Sequence, residues 1–214
     1  PELTAQGEFS FIEVHSVTDM MHRVVALYKE ALAQSDDELD VQIISPMRRG
    51  VAGSLAISKT IQQAINPAAS TRSEVKLNGQ IYRVGDKVIQ VLNNYDLEVF
   101  NGEIGVIFSI SKTEVCIRFM DKEVHVPMED MSSFMLAYAI TVHKSQGSEY
   151  GTVIIPFIPT YRQMLQRNLL YTAVTRARNK VILVGTKSAV QKAVSTQSGT
   201  TRYTLFKERL QGLV

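Results

Sequence analysis

The run TVHKSQGSEYG, Thr141 to Gly151, sets hydroxyls, an imidazole, an ammonium and a carboxylate on consecutive residues after the apolar stretch LAYAI. Thr141, His143, Lys144, Ser145 and Gln146 offer donors to a sugar–phosphate backbone without the geometry needed to read bases. Gly147 lets the main chain turn sharply or approach a ligand closely. His143 has two readings, a satisfied structural histidine or a backbone contact. A metal role is not expected, because no second His or Cys stands at ligand spacing. Farther on, NLLYTAVTRAR brings Arg176 to the end of an apolar helical run, beside Thr175 and Arg178. A guanidinium is a rigid fork of donors that matches phosphate oxygens and stays charged at any working pH. Its other reading is a solvated helix end favoured by the helix dipole. Arg48 and Arg49, in SPMRRG, follow a third apolar run, and in open α/β sheets ligands collect at the carboxyl ends of strands.

These groups need elements to hold them. EFSFIEVH, Glu8 to His15, alternates like a half-buried strand, and Thr18 to Ala33 repeats Met21, Val24, Val25, Tyr28, Ala31 and Leu32 at helical spacing. VQIIS, Val41 to Ser45, is a short apolar run before Pro46, as buried parallel strands are. Ser54 to Ile65 has helical periodicity and stops before Asn66-Pro67. SEVKLNGQ, Ser73 to Gln80, is polar enough to be a connecting loop. From Tyr82 the pattern becomes short alternating segments, YRVGDKVIQVLNN, GEIGVIFSI, EVCIRF and KEVHVPM, which predict a small antiparallel barrel. LAYAITV, TVIIP and KVILVG then read as three interior strands, with helical stretches at Tyr161 to Arg176, Ser188 to Ser195 and Arg202 to Leu210. The economical organisation is an α/β domain, 1–80 and 132–214, interrupted by a barrel at 81–131.

In the barrel, NNYDLEVFNGEIG carries a tight-turn signal at Asn101-Gly102 and two aromatics, Tyr95 and Phe100, flanking Asp96 and Glu98. Aromatics on an exposed loop stack on bases; alternatively they pack the loop against the α/β body.

Composition sets the bounds. The chain has 214 residues, 45% hydrophobic, with a net charge of +2, so any basic surface is local. Lys180, Lys187, Lys192, Arg202, Lys207 and Arg209 read mostly as a solvated face. The lone cysteine, Cys116, is expected buried, and a reducing, cytoplasmic compartment fits it. No apolar run reaches the roughly 20 residues needed to span a bilayer, so no membrane partner is expected. The chain opens on Pro1, which suggests an expressed fragment or a processed start.

The blocks AYAITVHKSQGSEYGTVIIP and RNLLYTAVTRARNKVILVG resemble the fifth and sixth motifs of superfamily-one helicases, with wording closest to RecD-like DNA helicases. NNYD…FNGE is similar to that family's inserted Src-homology-like barrel, EFSFIE to the segment after its third motif, and RYTLFKERL to its closing helix. The resemblance implies a RecA-like second motor domain with the small barrel inserted, the barrel lying along the single-strand path with Asn94, Tyr95 and Phe100 in it. It gives Arg176 the arginine-finger role, Glu149 that of the nucleotide-side carboxylate near Gly147, and Arg48, with Arg49 as the other choice, a γ-phosphate contact of the fourth motif. It implies ATP and Mg2+ as cofactors, single-stranded DNA as substrate and 5′-to-3′ movement; the residue types alone leave RNA open. No G-x-x-x-x-G-K-[ST] loop occurs in these residues, so the phosphate loop and metal-binding carboxylate are expected on an N-terminal motor domain outside the chain, without which it hydrolyses no ATP. Two other readings stay open: a subunit assisting an exonuclease complex, and a binding module that kept the fold without the motor.

Overall fold

The computed structural model describes residues 8–196; Arg202, Lys207, Arg209 and the helix expected at Arg202 to Leu210 lie outside the described residues. The described residues begin with strand β1 (Glu8–Glu13) and helix α1 (Val17–Ala33). Ser16 caps that helix by accepting the Asp19 N–H at 3.0 Å. Met20, Val24, Tyr28 and Ala31 form its buried face, each large side chain contributing about 1.5–3 kcal/mol by leaving water. The buried stripe thus starts at Met20, one residue before the expected Met21. Strand β2 (Val41–Ser45) is buried throughout, and α2 (Ser54–Ile65) has the bounds its periodicity predicts.

Where a connecting loop was expected, β3 (Glu74–Leu77) and β4 (Gln80–Arg83) form a two-residue hairpin, Leu77 opposite Gln80. Asn78 and Gly79 take φ of 50° and 79°, the left-handed pair that such a turn requires. The antiparallel strands follow: β5 (Lys87–Gln90), β6 (Ile104–Ile110), β7 (Glu114–Arg118), β8 (Glu123–Pro127) and β9 (Phe134–Leu136), in the order β8-β7-β6-β5-β9. Cys116 is buried in β7.

The apolar run LAYAITV was expected as one strand and is two. Its first residue, Leu136, ends β9, which pairs with β5, and its middle forms β10 (Ala139–Thr141), which pairs with β2 of the other sheet. The break falls where main-chain partners change hands: Ala137 N–H donates to Lys87 O at 2.8 Å, and the buried Gln42 amide donates to Ala137 O and Tyr138 O. Last come β11 (Tyr150–Phe157), α3 (Arg167–Val174), β12 (Ala177–Gly185) and α4 (Lys187–Ser195). The helix expected from Tyr161 begins instead as a tight turn over Pro159–Met164, broken at Arg162 with φ 44°, and α3 starts at Arg167.

β1, β12, β11, β2 and β10 form one wholly parallel sheet in that order. The open edge of β10 is covered by Ser58 of α2, whose hydroxyl accepts Ala139 N–H at 2.9 Å and donates to Ala139 O at 3.1 Å. The fold is α/β, with a Src-homology-like antiparallel sheet joined to it through a polar seam. There the buried Asp86 carboxylate accepts from Gln62 of α2, from Asn66 just past its end, from Arg83 N–H and from Tyr138 Oη. Burial raises the Asp86 pKa, and those four donors work against the rise. Next to it, the fully buried Lys87 ammonium donates to Glu38 O, Leu39 O and Val41 O at 3.2, 3.3 and 3.0 Å.

Candidate nucleotide and nucleic-acid interface

The turn after β10 begins at the carboxyl end of the parallel sheet and ends at the amino end of β11, so its residues serve two places. Thr141 Oγ1 accepts Lys144 N–H at 3.4 Å and Thr141 O accepts Ser145 N–H at 3.1 Å, which coils the turn. Ser145 is fully buried and its hydroxyl donates to Val142 O at 2.8 Å. Its side chain forms the turn and does not face a ligand, contrary to the contact expected of it. His143 and Gln146 are exposed and Lys144 is half-buried. Gly147 takes φ +86° with open space where a Cβ would stand, so the positive φ, not crowding, is what favours glycine.

Beyond Gly147 the turn meets Arg176. Parallel register sets Tyr150 beside Ala177, and Tyr150 N–H donates to Arg176 O at 2.8 Å. On its other side Arg176 N–H reaches Ala173 O at the end of α3 at 3.3 Å. The main chain of Arg176 is therefore held from both directions. Its guanidinium, half-buried, donates to Thr172 O at 3.3 Å, Ser148 O at 3.2 Å and Thr175 Oγ1 at 3.4 Å. All three acceptors are neutral, and Arg176 makes no ion pair among the described residues. Its positive charge is positioned and uncompensated. Glu149 is exposed close by.

Sequence reasoning missed the support beneath this arrangement. Asp40, just before β2, accepts Gly151 N–H at 2.8 Å and also pairs with Arg178. One carboxylate thereby ties the chain before β2 to the first residues of β11 and β12. Asp86 and Lys87 carry no signal of their burial in the sequence, where GDKV looks like any charged turn.

The barrel loop lies across a groove of about 1000 Å³ from the turn. His143, Lys144, Gln146 and Glu149 line one wall, with Asn101 and Met120 on the other. Lys144 Nζ spans it, donating to Asn101 Oδ1 at 3.2 Å. Tyr95 and Phe100 are 74% and 43% exposed and meet edge to face at 6.1 Å. Asn94 builds the loop: its Oδ1 accepts Asp96 and Leu97 N–H, and its backbone bridges Val99.

Arg48 and Arg176 are not brought together. Arg48 follows the carboxyl end of β2 and Arg176 precedes the amino end of β12. The registers Val41↔Thr152 and Tyr150↔Ala177 put six residues of strand between those ends, about 20 Å at ~3.3 Å per residue.

Comparisons with known proteins agree with the architecture. Two family models match: UvrD-like helicase C-terminal domain, over residues 136–184, and ATP-dependent RecD-like DNA helicase SH3 domain, over residues 57–120. Solved structures share the fold. A Bacteroides Pif1 helicase in complex with ADP-AlF3 and single-stranded DNA superposes with TM-score 0.56, at 15% identity over 92% of this chain and 51% of that one. Another Bacteroides Pif1, bound to single-stranded DNA, gives 0.51 at 16% identity over 76% of this chain and 48% of that one. Together these define a helicase C-terminal domain with an SH3-like domain set within it. Among curated proteins, the ATP-dependent RecD2 DNA helicase of Deinococcus radiodurans is 35% identical over 171 residues, 80% of this chain and 23% of the relative. The RecBCD enzyme subunit RecD of Mycolicibacterium smegmatis is 28% identical over 183 residues, 86% of this chain and 31% of the relative. The chain belongs to the RecD-like helicase family. It spans a quarter to a third of the length of these relatives.

Proposed function

We propose that this chain is the nucleotide-sensing and DNA-gripping part of an ATP-dependent helicase that moves 5′-to-3′ on single-stranded DNA. In this reading residues 1–80 and 132–214 form the second motor domain, and 81–131 the inserted barrel. The single observation that carries it is the state of Arg176: main chain held on both sides, guanidinium charge unpaired.

Chemically the residues fit a nucleotide. A fixed guanidinium presented to a neighbouring domain neutralises charge on a transferring phosphoryl group only when the domains close. Glu149 is free to accept a bond from a ribose hydroxyl, and Gly147 leaves open main chain beside it. ATP supplies the phosphoryl group whose transfer drives the cycle. Among the described residues no group of three His, Cys, Asp or Glu could hold a metal ion. A first motor domain elsewhere in the intact protein provides the phosphate loop and the metal ligands, and the isolated chain turns over no ATP. Thr141, His143, Lys144 and Gln146 hold the sugar–phosphate backbone, and Tyr95 and Phe100 stack on bases.

The test is ATP turnover by the intact protein, with and without single-stranded DNA, for wild type and Arg176→Ala. The expected result is DNA-stimulated turnover that falls about 10³-fold or more in the variant while DNA affinity without nucleotide is kept. Turnover indifferent to both DNA and Arg176 would sink the motor reading. A role beside nuclease subunits is a second reading, favoured by relatives named as RecBCD subunits. It predicts that a nuclease subunit from the same cell copurifies with the intact protein.

A further inference from the structure

We propose that Arg48 is a DNA-phosphate contact: with Lys144 and Asn101 it forms a step that hands a single strand from the turn after β10 to the aromatic loop of the barrel. This rests on the reading above that the chain grips single-stranded DNA, and it moves Arg48 from the nucleotide side to the DNA side.

Four observations lead there. Position is the first, because the loop between β2 and α2 opens at the carboxyl end of the sheet, far along the strands from Arg176. Orientation is the second. Arg48 Nη2 lies 3.4 Å from Met135 Sδ, in the strand β9 that belongs to the barrel sheet, so the guanidinium leans toward the barrel.

The third is rigidity. Met47 O and Arg48 O accept the Ser54 and Leu55 N–H groups at 2.8 and 3.2 Å. The loop folds so closely over Gly53 that a Cβ there would stand 2.4 Å from Arg49 O and 2.5 Å from Arg48 O. An exposed cation on a loop wound this tightly is a placed charge.

Charge balance is the fourth. Arg48 and Lys144 are near enough that, after desolvation, the Arg48 charge is what lowers the Lys144 pKa. Neither forms an ion pair among the described residues. Two neighbouring cations with no carboxylate at ion-pair distance repel each other, and an anion between them relieves that repulsion. Among the described residues, the oxygen bonded to the lysine side chain is the neutral Asn101 Oδ1, one residue from exposed Phe100. Cation, cation, amide and aromatic in sequence suit a phosphodiester strand whose bases stack at the far end.

The experiment measures binding of a fluorescent oligo-dT to the intact protein over a series of salt concentrations, for wild type, Arg48→Ala, Arg48→Lys and Lys144→Ala. Binding of a fluorescent ADP analogue is measured in parallel. Arg48→Ala is expected to weaken oligo-dT binding several-fold and to lower the slope of log K against log salt by about 0.7, the value for one phosphate on a single strand. Arg48→Lys should restore the slope, and ADP-analogue affinity should hold in all. If Arg48→Ala leaves the oligo-dT slope intact and weakens the ADP analogue, Arg48 is a nucleotide contact and the proposal fails. If neither Arg48→Ala nor Lys144→Ala alters oligo-dT binding, the DNA-gripping reading falls with it. Since Arg48 is exposed and its loop is held by main-chain bonds, the variants should fold, which far-ultraviolet circular dichroism verifies.

Discussion

Asp40 occupies the space that a side chain on Gly151 would need. A Cβ on Gly151 would stand 2.0 Å from Asp40 Oδ2, while Asp40 Oδ1 accepts the Gly151 N–H at 2.8 Å. Glycine is required at that residue by a neighbour and not by its own backbone angles. The same carboxylate pairs with Arg178, two residues after Arg176, so the contact fixes the spacing between the chain ahead of β2 and the strand that carries the arginine.

Gly151→Ala should therefore expel Asp40 and free Arg178. Overpacking of this kind costs about 1–3 kcal/mol. Urea denaturation should show the loss. Asp40→Ala combined with Gly151→Ala should be less destabilising than the two losses added, because the first removes what the second strikes. Strict additivity would show that the clash is relieved elsewhere.

Lys87 makes a prediction about pH. Desolvation drives its ammonium down to about 7, against the raising influence of Glu38, Asp37 and Asp40. The folded pKa lies below the unfolded one, near 10.4. Between these values the unfolded chain binds the extra proton, so this group makes stability rise with pH from about 7 to about 10 and adds no slope below 7. Thermal unfolding from pH 6 to pH 10 should show this rise in wild type and lose it in Lys87→Met. The variant should also be less stable at pH 7, since three carbonyls lose their donor. An unchanged pH profile would mean the ammonium is solvated.

The aromatic loop gives a third. Phe100→Ala and Tyr95→Ala should each weaken single-stranded DNA binding by about 1–3 kcal/mol with no change in melting temperature, the rings being exposed. Asn94→Ala should do the reverse, lowering stability through the lost bonds to Asp96 and Leu97. Filter binding and calorimetry on the same samples separate the two.

Much of this was legible because burial writes itself into composition. VQIIS and KVILVG are apolar on both faces, and Ser54 to Ile65 announces its end with Asn66-Pro67. The hairpin at Asn78-Gly79 was readable too, since Asn-Gly between alternating residues is the strongest short hairpin signal; the polarity of Ser73 to Gln80 masked it. Other features follow from partners far along the chain. Nothing local divides LAYAITV between two sheets, because the division depends on Gln42 and Lys87. Ser145 looks like a ligand and is a turn-former only because Val142 O is placed to receive it. Arg48 and Arg176 share a residue type and a neighbourhood of motifs, and only strand register separates them.

The seam at Asp86 has a mechanical consequence. The chain leaves the parallel sheet through α2 and the hairpin and returns through Tyr138, and all of these converge on that one buried carboxylate. Both ends of the inserted strands are thus clamped at one point, with Lys87 bolting the same spot to the start of β2. An insert held by two separate flexible tethers would swing independently. This one is tied to the sheet at both of its ends, and the two ties meet at Asp86.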